Sequence, residues 1–158
     1  MFSVVTSRFT TETLEKNYSY RNKNKLICIY NSPTKLSPKI NYDTHVFVVE
    51  MNNSLNKIEG IGMIKNKPDP KNYYKVYETG NINRYTYIGT DYITRDDILC
   101  VNSELVFILD KILFTGYTHS KRGSGLTLIP EKLLQKSILE GVNIKMKIKE
   151  LFITLERK

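Results

Sequence analysis

The stretch from Thr44 to Ile64, THVFVVEMNNSLNKIEGIGMI, limits the possible folds of this chain more than any other segment does. Its first half contains the uninterrupted apolar run VFVV, which is typical of a central strand that is covered on both faces. A polar turn follows, and then a second segment with strand character. This order predicts an antiparallel hairpin near the centre of a sheet.

The second strand of this hairpin contains two glycines, Gly60 and Gly62. Glycine inside a strand weakens it, so it usually marks a bulge, a sharp bend of a barrel, or a close approach by a ligand or by backbone. The sequence leaves these three explanations open.

The segments before the hairpin predict a strand, a helix and another strand. MFSVVTS has the β-branched character of a strand, and Thr10 or Thr11 is placed to cap a following helix. KLICIYN predicts the next strand, and the two prolines of SPTKLSPKI predict a loop.

The segments after the hairpin change from strand to helix periodicity. Further strands are expected around the Gly-Asn turn of the tyrosine-rich region, and a helix near 103–114 with Asn102 or Ser103 as its cap. Pro130 and Gly141 are placed at the start and the end of another helix. Residues 142–158 fit a strand or a basic helix, and Ile144, Ile148 and Leu151 are expected to pack on the domain.

This order of elements predicts an α+β fold, in which helices pack outside a small twisted β-barrel or sheet. The chain has 158 residues, of which 41% are hydrophobic, and we interpret residues 1–158 as one domain with a C-terminal helical segment.

The net charge of +8 favours polyanionic partners, with nucleic acid first. The alternative is a merely soluble basic surface, which a bias toward Lys, Asn, Ile and Tyr would also produce. Cys28 and Cys100 lie among apolar neighbours, so we expect buried free thiols. The two Cys and two His residues have no close-spaced ligand pair, so we expect neither a metal nor a cofactor.

No apolar run reaches the length of a membrane span, and the first residues lack the pattern of a signal peptide. We therefore expect an intracellular protein without a membrane partner. For a viral protein, this means the host cytoplasm or nucleus, or the virion.

The tyrosine-rich region is the first candidate site. Tyr73, Tyr74, Tyr85 and Tyr87 alternate with cations such as Arg84, and this combination is typical of surfaces that stack on unpaired bases and hold phosphates. The simpler interpretation is that these tyrosines form cross-strand pairs that stabilise a sheet.

The segment THSKRGSG is the second candidate site. Its glycines allow backbone N–H groups to converge on an anion, and His119, Lys121, Arg122 and Ser124 add polar contacts. The spacing is neither that of a Walker A loop nor that of a dinucleotide-binding loop, and no catalytic triad pattern surrounds His119. The simpler interpretation is a flexible connector between two helices.

The segment from Met1 to Lys65 resembles the PUA-like superfamily, in particular its EVE and YTH branches. MFSVVTSRFTTETLEKNYS is similar to their opening strand and helix, the hairpin to their central one, and RYTYIG to a further barrel strand. The resemblance implies a barrel and a tendency to bind nucleic acid. YTH domains hold a methylated adenine in a cage that relies on Trp, and this chain has no Trp. The residue bias also resembles that of small proteins of large DNA viruses.

These observations predict a non-enzymatic nucleic-acid-binding module. RNA is preferred, and a single-stranded or modified base would be bound by stacking and by phosphate contacts. One alternative is a viral structural or protein-interaction component, with a protein partner or in a homo-oligomer. Another is a hydrolase or nuclease that uses His119.

Overall fold

The computed structural model describes residues 2–78 and 80–156; Met1, Thr79, Arg157 and Lys158 lie outside the described residues. The described elements, in chain order, are β1 (Phe2–Phe9), α1 (Thr11–Asn24), β2 (Cys28–Ser32), β3 (His45–Asn52), β4 (Lys57–Lys65), a 3-10 turn (Gly80–Asn83), β5 (Tyr85–Gly89), β6 (Asp91–Thr94), α2 (Arg95–Phe114), β7 (Leu126–Leu128), α3 (Glu131–Leu139) and α4 (Ile144–Glu156).

The strands form two sheets. The larger is a mixed sheet in the order β6-β4-β3-β1-β7, in which β1 is parallel to β3 and the other neighbours are antiparallel. The smaller pairs β2 with β5. The predicted α+β class is thus confirmed. The described strands form two sheets and no closed barrel, so the predicted barrel is not confirmed.

The predicted central hairpin is confirmed. Strand β3 lies between β1 and β4, and its apolar residues alternate between two cores. Val46 and Val48 pack toward α1 and the smaller sheet, whereas Phe47 and Val49 pack toward α2, α3 and α4. The strand is covered on both faces, which explains why its apolar run is continuous.

The hairpin contains a bulge. Glu50 pairs with Gly60, but the next residue of β3 pairs with Ile58, so Glu59 is an extra residue in β4. A bulge of this kind interrupts the alternation of the strand and redirects the side chain of the extra residue. A bulge, one of the three explanations that the interior glycines left open, is therefore present beside Gly60.

The helix predicted near 103–114 begins earlier than expected. Helix α2 starts at Arg95, after Thr94, whose side chain accepts a hydrogen bond from the Asp97 N–H. Asn102 has non-helical dihedral angles, and its Oδ1 accepts a hydrogen bond from the Leu105 N–H. Asn102 thus caps the second half of α2, as predicted, within one longer kinked helix.

The structure also tests the predictions for residues 142–158 and for the segment between α2 and α3. Residues after Asn143 form the helix α4, in which Ile144, Ile148 and Leu151 are buried as expected. The segment between α2 and α3 is more than a connector, because Leu126–Leu128 pairs with β1. No helix in residues 2–78 and 80–156 is long and apolar enough to span a membrane.

The two cysteines differ in their surroundings. Cys28 is buried as a free thiol, as expected, and burial raises the pKa of this thiol to about 12. Cys100 is an exposed free thiol on the first half of α2, which corrects the prediction that it is buried. Its apolar neighbour Ile98 packs inward from the same helix.

Candidate functional site

Arg8, near the end of β1, holds the glycine-rich loop of residues 115–125. Its Nε donates a hydrogen bond to the Gly123 carbonyl at 3.1 Å, and its Nη1 donates to the Ser120 carbonyl at 3.3 Å. Nη1 also donates to the hydroxyls of Thr6 and Thr127 at 3.0 and 2.9 Å. All of these acceptors are neutral.

Arg8 forms no ion pair among the described residues. Its Nη2 is buried and has no hydrogen-bond partner there. Partial burial lowers the pKa of the guanidinium, although arginine stays charged at any ordinary pH. The site therefore has a positive charge that no carboxylate neutralises directly.

A pocket of about 440 Å³ lies beside Arg8. It is formed by the end of β1, the first half of α1, β2, the segment before β5, and the glycine-rich loop. Its lining residues are Ser7, Arg8, Phe9, Thr13, Lys16, Asn31, Tyr77, Glu78, Ile82 and Gly125.

Asn31 gives this pocket an unused hydrogen-bond acceptor. The side chain belongs to a residue that is only 6% exposed, and its Nδ2 lies within hydrogen-bond distance of the Tyr74 carbonyl, Asn83 Oδ1 and Thr86 Oγ1. These acceptors fix the orientation of the amide, and Oδ1 is left buried without a partner among the described residues.

Tyr77 and Ile82 add an aromatic and an aliphatic side chain to the same pocket. The Tyr77 hydroxyl accepts a hydrogen bond from Asn17 Nδ2 at 3.2 Å, and burial raises the pKa of Tyr77 to about 12. The residues that line the pocket thus include an aromatic ring, a buried amide oxygen and a guanidinium with a buried N–H that forms no hydrogen bond.

The tyrosines predicted to stack on bases lie in different surroundings. Tyr73 is 63% exposed, whereas the Tyr74 hydroxyl donates to Asp69 at 2.7 Å and helps to lower the pKa of that carboxyl to about 2. Tyr85 is partly buried, and its ring lies 5.3 Å from the Arg84 guanidinium.

Tyr87 is only 1% exposed, and its hydroxyl accepts a hydrogen bond from the Leu36 N–H. Its ring belongs to the core and presents no face to a base. This burial corrects the expectation that Tyr87 is a stacking residue; the pattern of a cross-strand tyrosine, which the sequence also allowed, describes it better.

The predicted loop residues lie together but outside the pocket. Arg122 and Ser124 are exposed, and Lys121 is partly buried. His119 Nδ1 accepts a hydrogen bond from the Lys121 N–H, so this nitrogen stabilises the loop. The Lys121 carbonyl accepts from Asn53 Nδ2, which connects the loop to the turn of the hairpin.

None of the predicted site residues lines the pocket beside Arg8. Sequence reasoning missed Arg8, Asn31 and Tyr77 because they lie on separate elements. One local signal was present: Arg8 is a cation that directly follows the strand segment VVTS and lies two residues before the helix cap Thr10.

A second polar group of residues is buried in the core. Glu50 is 0% exposed, and its Oε2 accepts hydrogen bonds from Arg21 Nη2 at 2.6 Å and from the Tyr30 hydroxyl at 2.7 Å. Its Oε1 accepts from the hydroxyls of Tyr18 and Tyr92 at 2.9 and 2.8 Å. The same three rings surround the Arg21 guanidinium at 4.9–5.3 Å. We call these five residues the Glu50 cluster.

The two interior glycines of β4 make room for the Glu50 cluster. A Cβ atom added to Gly60 would collide with the Tyr92 hydroxyl, and one added to Gly62 would collide with the Tyr30 hydroxyl. The groups that closely approach these glycines are therefore the side chains of Tyr30 and Tyr92, whose hydroxyls donate to Glu50.

Burial and the charge of Glu50 raise the pKa values of Tyr18, Tyr30 and Tyr92 above the ordinary range of tyrosine. These phenols therefore stay protonated and donate to the carboxylate. The cluster thus gives the two carboxylate oxygens of Glu50 four hydrogen bonds in the core.

Among the described residues, no group of His, Cys, Asp or Glu side chains is placed to hold a metal ion. Comparison with known proteins gives no match: no protein-family model fits the chain, and no curated protein or solved structure is significantly similar to it.

Proposed function

We propose that this protein is a non-enzymatic nucleic-acid-binding module that takes an unpaired nucleotide, preferably of RNA, into the pocket beside Arg8. The observation that supports this proposal best is the pairing of two unused groups in one pocket. Arg8 offers a buried Nη2 donor with an unneutralised charge, and Asn31 offers a buried Oδ1 acceptor.

The phosphate contact is assigned to Arg8. Guanidinium groups bind phosphate oxygens through charge-assisted hydrogen bonds, and a cation that lacks a carboxylate partner does not have to break an ion pair first. Lys121 and Arg122 are close along the loop that Arg8 holds. They add positive charge on the path of a nucleic-acid backbone.

The base contact is assigned to Asn31 and Tyr77. The free amide oxygen of Asn31 accepts a hydrogen bond from an N–H group of a base, and Tyr77 offers aromatic surface. A pocket of this size suits one extruded or single-stranded nucleotide rather than a duplex. The preference for RNA rests on the resemblance to the PUA-like superfamily, and a PUA-like architecture is part of the proposal.

The test is binding of a fluorescent single-stranded RNA about ten nucleotides long, a length within the site sizes of single-strand binders. Arg8→Gln is compared with Lys145→Gln, because Lys145 is an exposed cation on α4 and the two variants lose the same charge. We expect only Arg8→Gln to reduce the slope of log affinity against log salt by about 0.7, the value for one phosphate contact.

Circular dichroism of both variants shows whether the fold is retained. Arg8→Lys keeps the charge but loses the forked hydrogen bonds, so we expect intermediate affinity. If the unmodified protein does not bind mixed single-stranded RNA and DNA at low salt, the proposed function is wrong.

A second candidate function is a protein-interaction component. Exposed apolar side chains favour it, since Phe107 is 62% exposed and Leu139 is 87% exposed. Size-exclusion chromatography with light scattering tests this alternative for a homo-oligomer. If the unmodified protein has the mass of a monomer, and Phe107→Ser and Leu139→Ser have the same mass, self-association through these residues is excluded.

A further inference from the structure

A second pocket, of about 520 Å³, lies between the C-terminal half of α1, the beginning of β4, the end of β6 and the first turn of α2. Its lining residues are Tyr18, Arg21, Asn22, Leu26, Ile27, Lys57, Glu59, Tyr92, Thr94, Arg95 and Asp96. It shares α1 with the pocket beside Arg8 but uses other residues of that helix, such as Tyr18 and Asn22 in place of Thr13 and Lys16.

Glu59 gives this pocket a carboxylate that has an oxygen without a hydrogen bond. Glu59 is the extra residue of the bulge in β4, so its side chain leaves the regular alternation of the strand. Lys57 Nζ forms an ion pair with Glu59 Oε1 at 3.5 Å, but this buried oxygen accepts no hydrogen bond among the described residues. An ionised carboxylate that is partly desolvated in this way has a strong preference for N–H donors.

Arg21 gives the same pocket an unused donor. The residue is 4% exposed, and its Nη2 is occupied by Glu50. Its Nε is buried and has no partner among the described residues. The neighbouring Arg95 is different, because Asp110 and the Ile58 carbonyl occupy its terminal nitrogens.

The charges around the pocket disfavour a phosphate as the main ligand group. Each lining cation already has a carboxylate partner: Lys57 pairs with Glu59, Arg21 with Glu50 and Arg95 with Asp110. Asp96 adds a further negative charge to the lining. A matching ligand therefore has two adjacent N–H donors for the Glu59 carboxylate. It also has an acceptor for a cationic donor such as Arg21 Nε. It must also have a flat apolar face, which suits the Tyr92 ring and the exposed side chain of Ile27.

Among the common nucleobases, guanine alone places two N–H donors, N1–H and N2–H, side by side and next to an acceptor, O6. Adenine and cytosine place a donor beside an acceptor on this edge, and uracil places a single donor between two acceptors. A carboxylate accepts the two guanine donors in a bidentate manner. From this match, we propose that the second pocket binds a guanine base, carried either by a free nucleotide or by a residue of RNA.

In this complex, Glu59 accepts the N1–H and N2–H hydrogen bonds. Lys57 Nζ or Arg21 Nε donates to O6. The site is independent of Arg8, so it holds whether or not the first pocket binds RNA. Binding of guanine there would give hydrogen bonds to two polar atoms that form none among the described residues.

The test is nuclear magnetic resonance titration of the isotope-labelled full chain with guanosine, guanosine monophosphate and adenosine. We expect saturable shifts at the amides of Lys57, Glu59 and Tyr92 with both guanine ligands, and none with adenosine. Equal affinity for guanosine and its monophosphate would identify the base as the recognised group.

Glu59→Gln and Glu104→Gln form a matched pair, because Glu104 is an exposed carboxylate on α2 and both variants gain the same net charge. Glu59→Gln should weaken guanosine binding by at least about tenfold, the loss expected for one bidentate pair. If the protein recognised only the phosphate of guanosine monophosphate, both variants should bind this nucleotide more tightly, because each loses one negative charge.

A short oligouridylate, with or without central guanosines, distinguishes the two sources of guanine. Glu59-dependent binding of guanosine alone assigns the site to free nucleotides, and Glu59-dependent preference for the guanosine-containing oligonucleotide assigns it to RNA. If guanine ligands of either source give no saturable shifts, or if Glu59→Gln binds them as well as Glu104→Gln does, the inference is wrong. Arg8-dependent binding of plain oligouridylate would survive that outcome, so the two proposals fail separately.

Discussion

Replacing Arg21 by methionine should be among the most damaging single changes in the core. Methionine keeps a long, unbranched side chain between the three tyrosine rings, but it removes the cation that faces Glu50. Glu50 is fully buried, so the carboxylate cannot recover the lost interaction from water. Removing one partner of a buried ion pair typically costs about 3–5 kcal/mol.

The three tyrosine hydroxyls determine where in this range the loss should fall. They continue to donate to both oxygens of Glu50, which compensates part of the desolvation. We therefore expect a loss near the lower end, about 3 kcal/mol, which is a large share of the roughly 5–15 kcal/mol by which single domains are stable. The assay is urea unfolding followed by far-ultraviolet circular dichroism, with the slope of the transition compared between variants.

A double variant tests the reasoning behind this number. Glu50→Gln in the Arg21→Met background removes the unpaired buried charge while leaving an oxygen for the tyrosine hydroxyls, so the double variant should be more stable than Arg21→Met alone. A loss below about 1 kcal/mol in Arg21→Met, the scale of an exposed ion pair, would refute a strongly stabilising role of the buried pair. Additive changes in the free energy of unfolding for the two substitutions would refute this role as well.

Three further predictions concern the same framework. Gly62→Ala should cost about 1–3 kcal/mol through overpacking against the tyrosine hydroxyl beneath it, whereas Gly80→Ala, with nothing within 4 Å of its added Cβ, should cost much less in the same urea assay. Asn102→Ala should lower stability by about 1 kcal/mol because the second half of α2 loses its cap, and an equal loss in the neighbouring Ser103→Ala would contradict this role. Burial raises the pKa of Tyr77 from 10.0 to about 12, so the stability that this residue contributes is complete below pH 10 and declines as the pH rises toward 12. The check is a pH titration of tyrosinate absorbance near 295 nm, in which Tyr77→Phe should lack one tyrosine that ionises near pH 12 in the unmodified protein. Identical titration curves for the two proteins would refute the raised pKa of Tyr77.

The local patterns of the chain predicted its long elements well. The continuous apolar run of β3 indicated its central position because both of its faces are covered by core residues. The first half of α2 was missed because Asn102 interrupts the helical periodicity. Strand β7 was missed because its three residues are a strand only through their pairing with β1.

The candidate sites were harder to predict, since their residues meet only in the folded chain. Sequence reasoning selected clusters of neighbouring charges and tyrosines, such as Lys121 with Arg122, which are exposed or partly buried. The pocket beside Arg8 instead joins β1, β2 and the segment before β5. Likewise, the sequence could not explain Gly62, because the Tyr30 hydroxyl comes close to it only in the folded chain.

The pairing of β7 with β1 has a consequence for aggregation. Without its three residues, β1 would be the edge of the larger sheet along its full length of eight residues. An exposed edge strand of that length is a template for pairing with other chains. The short segment Leu126–Leu128 therefore covers the middle of an edge that stays exposed until these three residues have been synthesised. Variants that loosen the loop before it should aggregate during expression, even where the mature fold tolerates them.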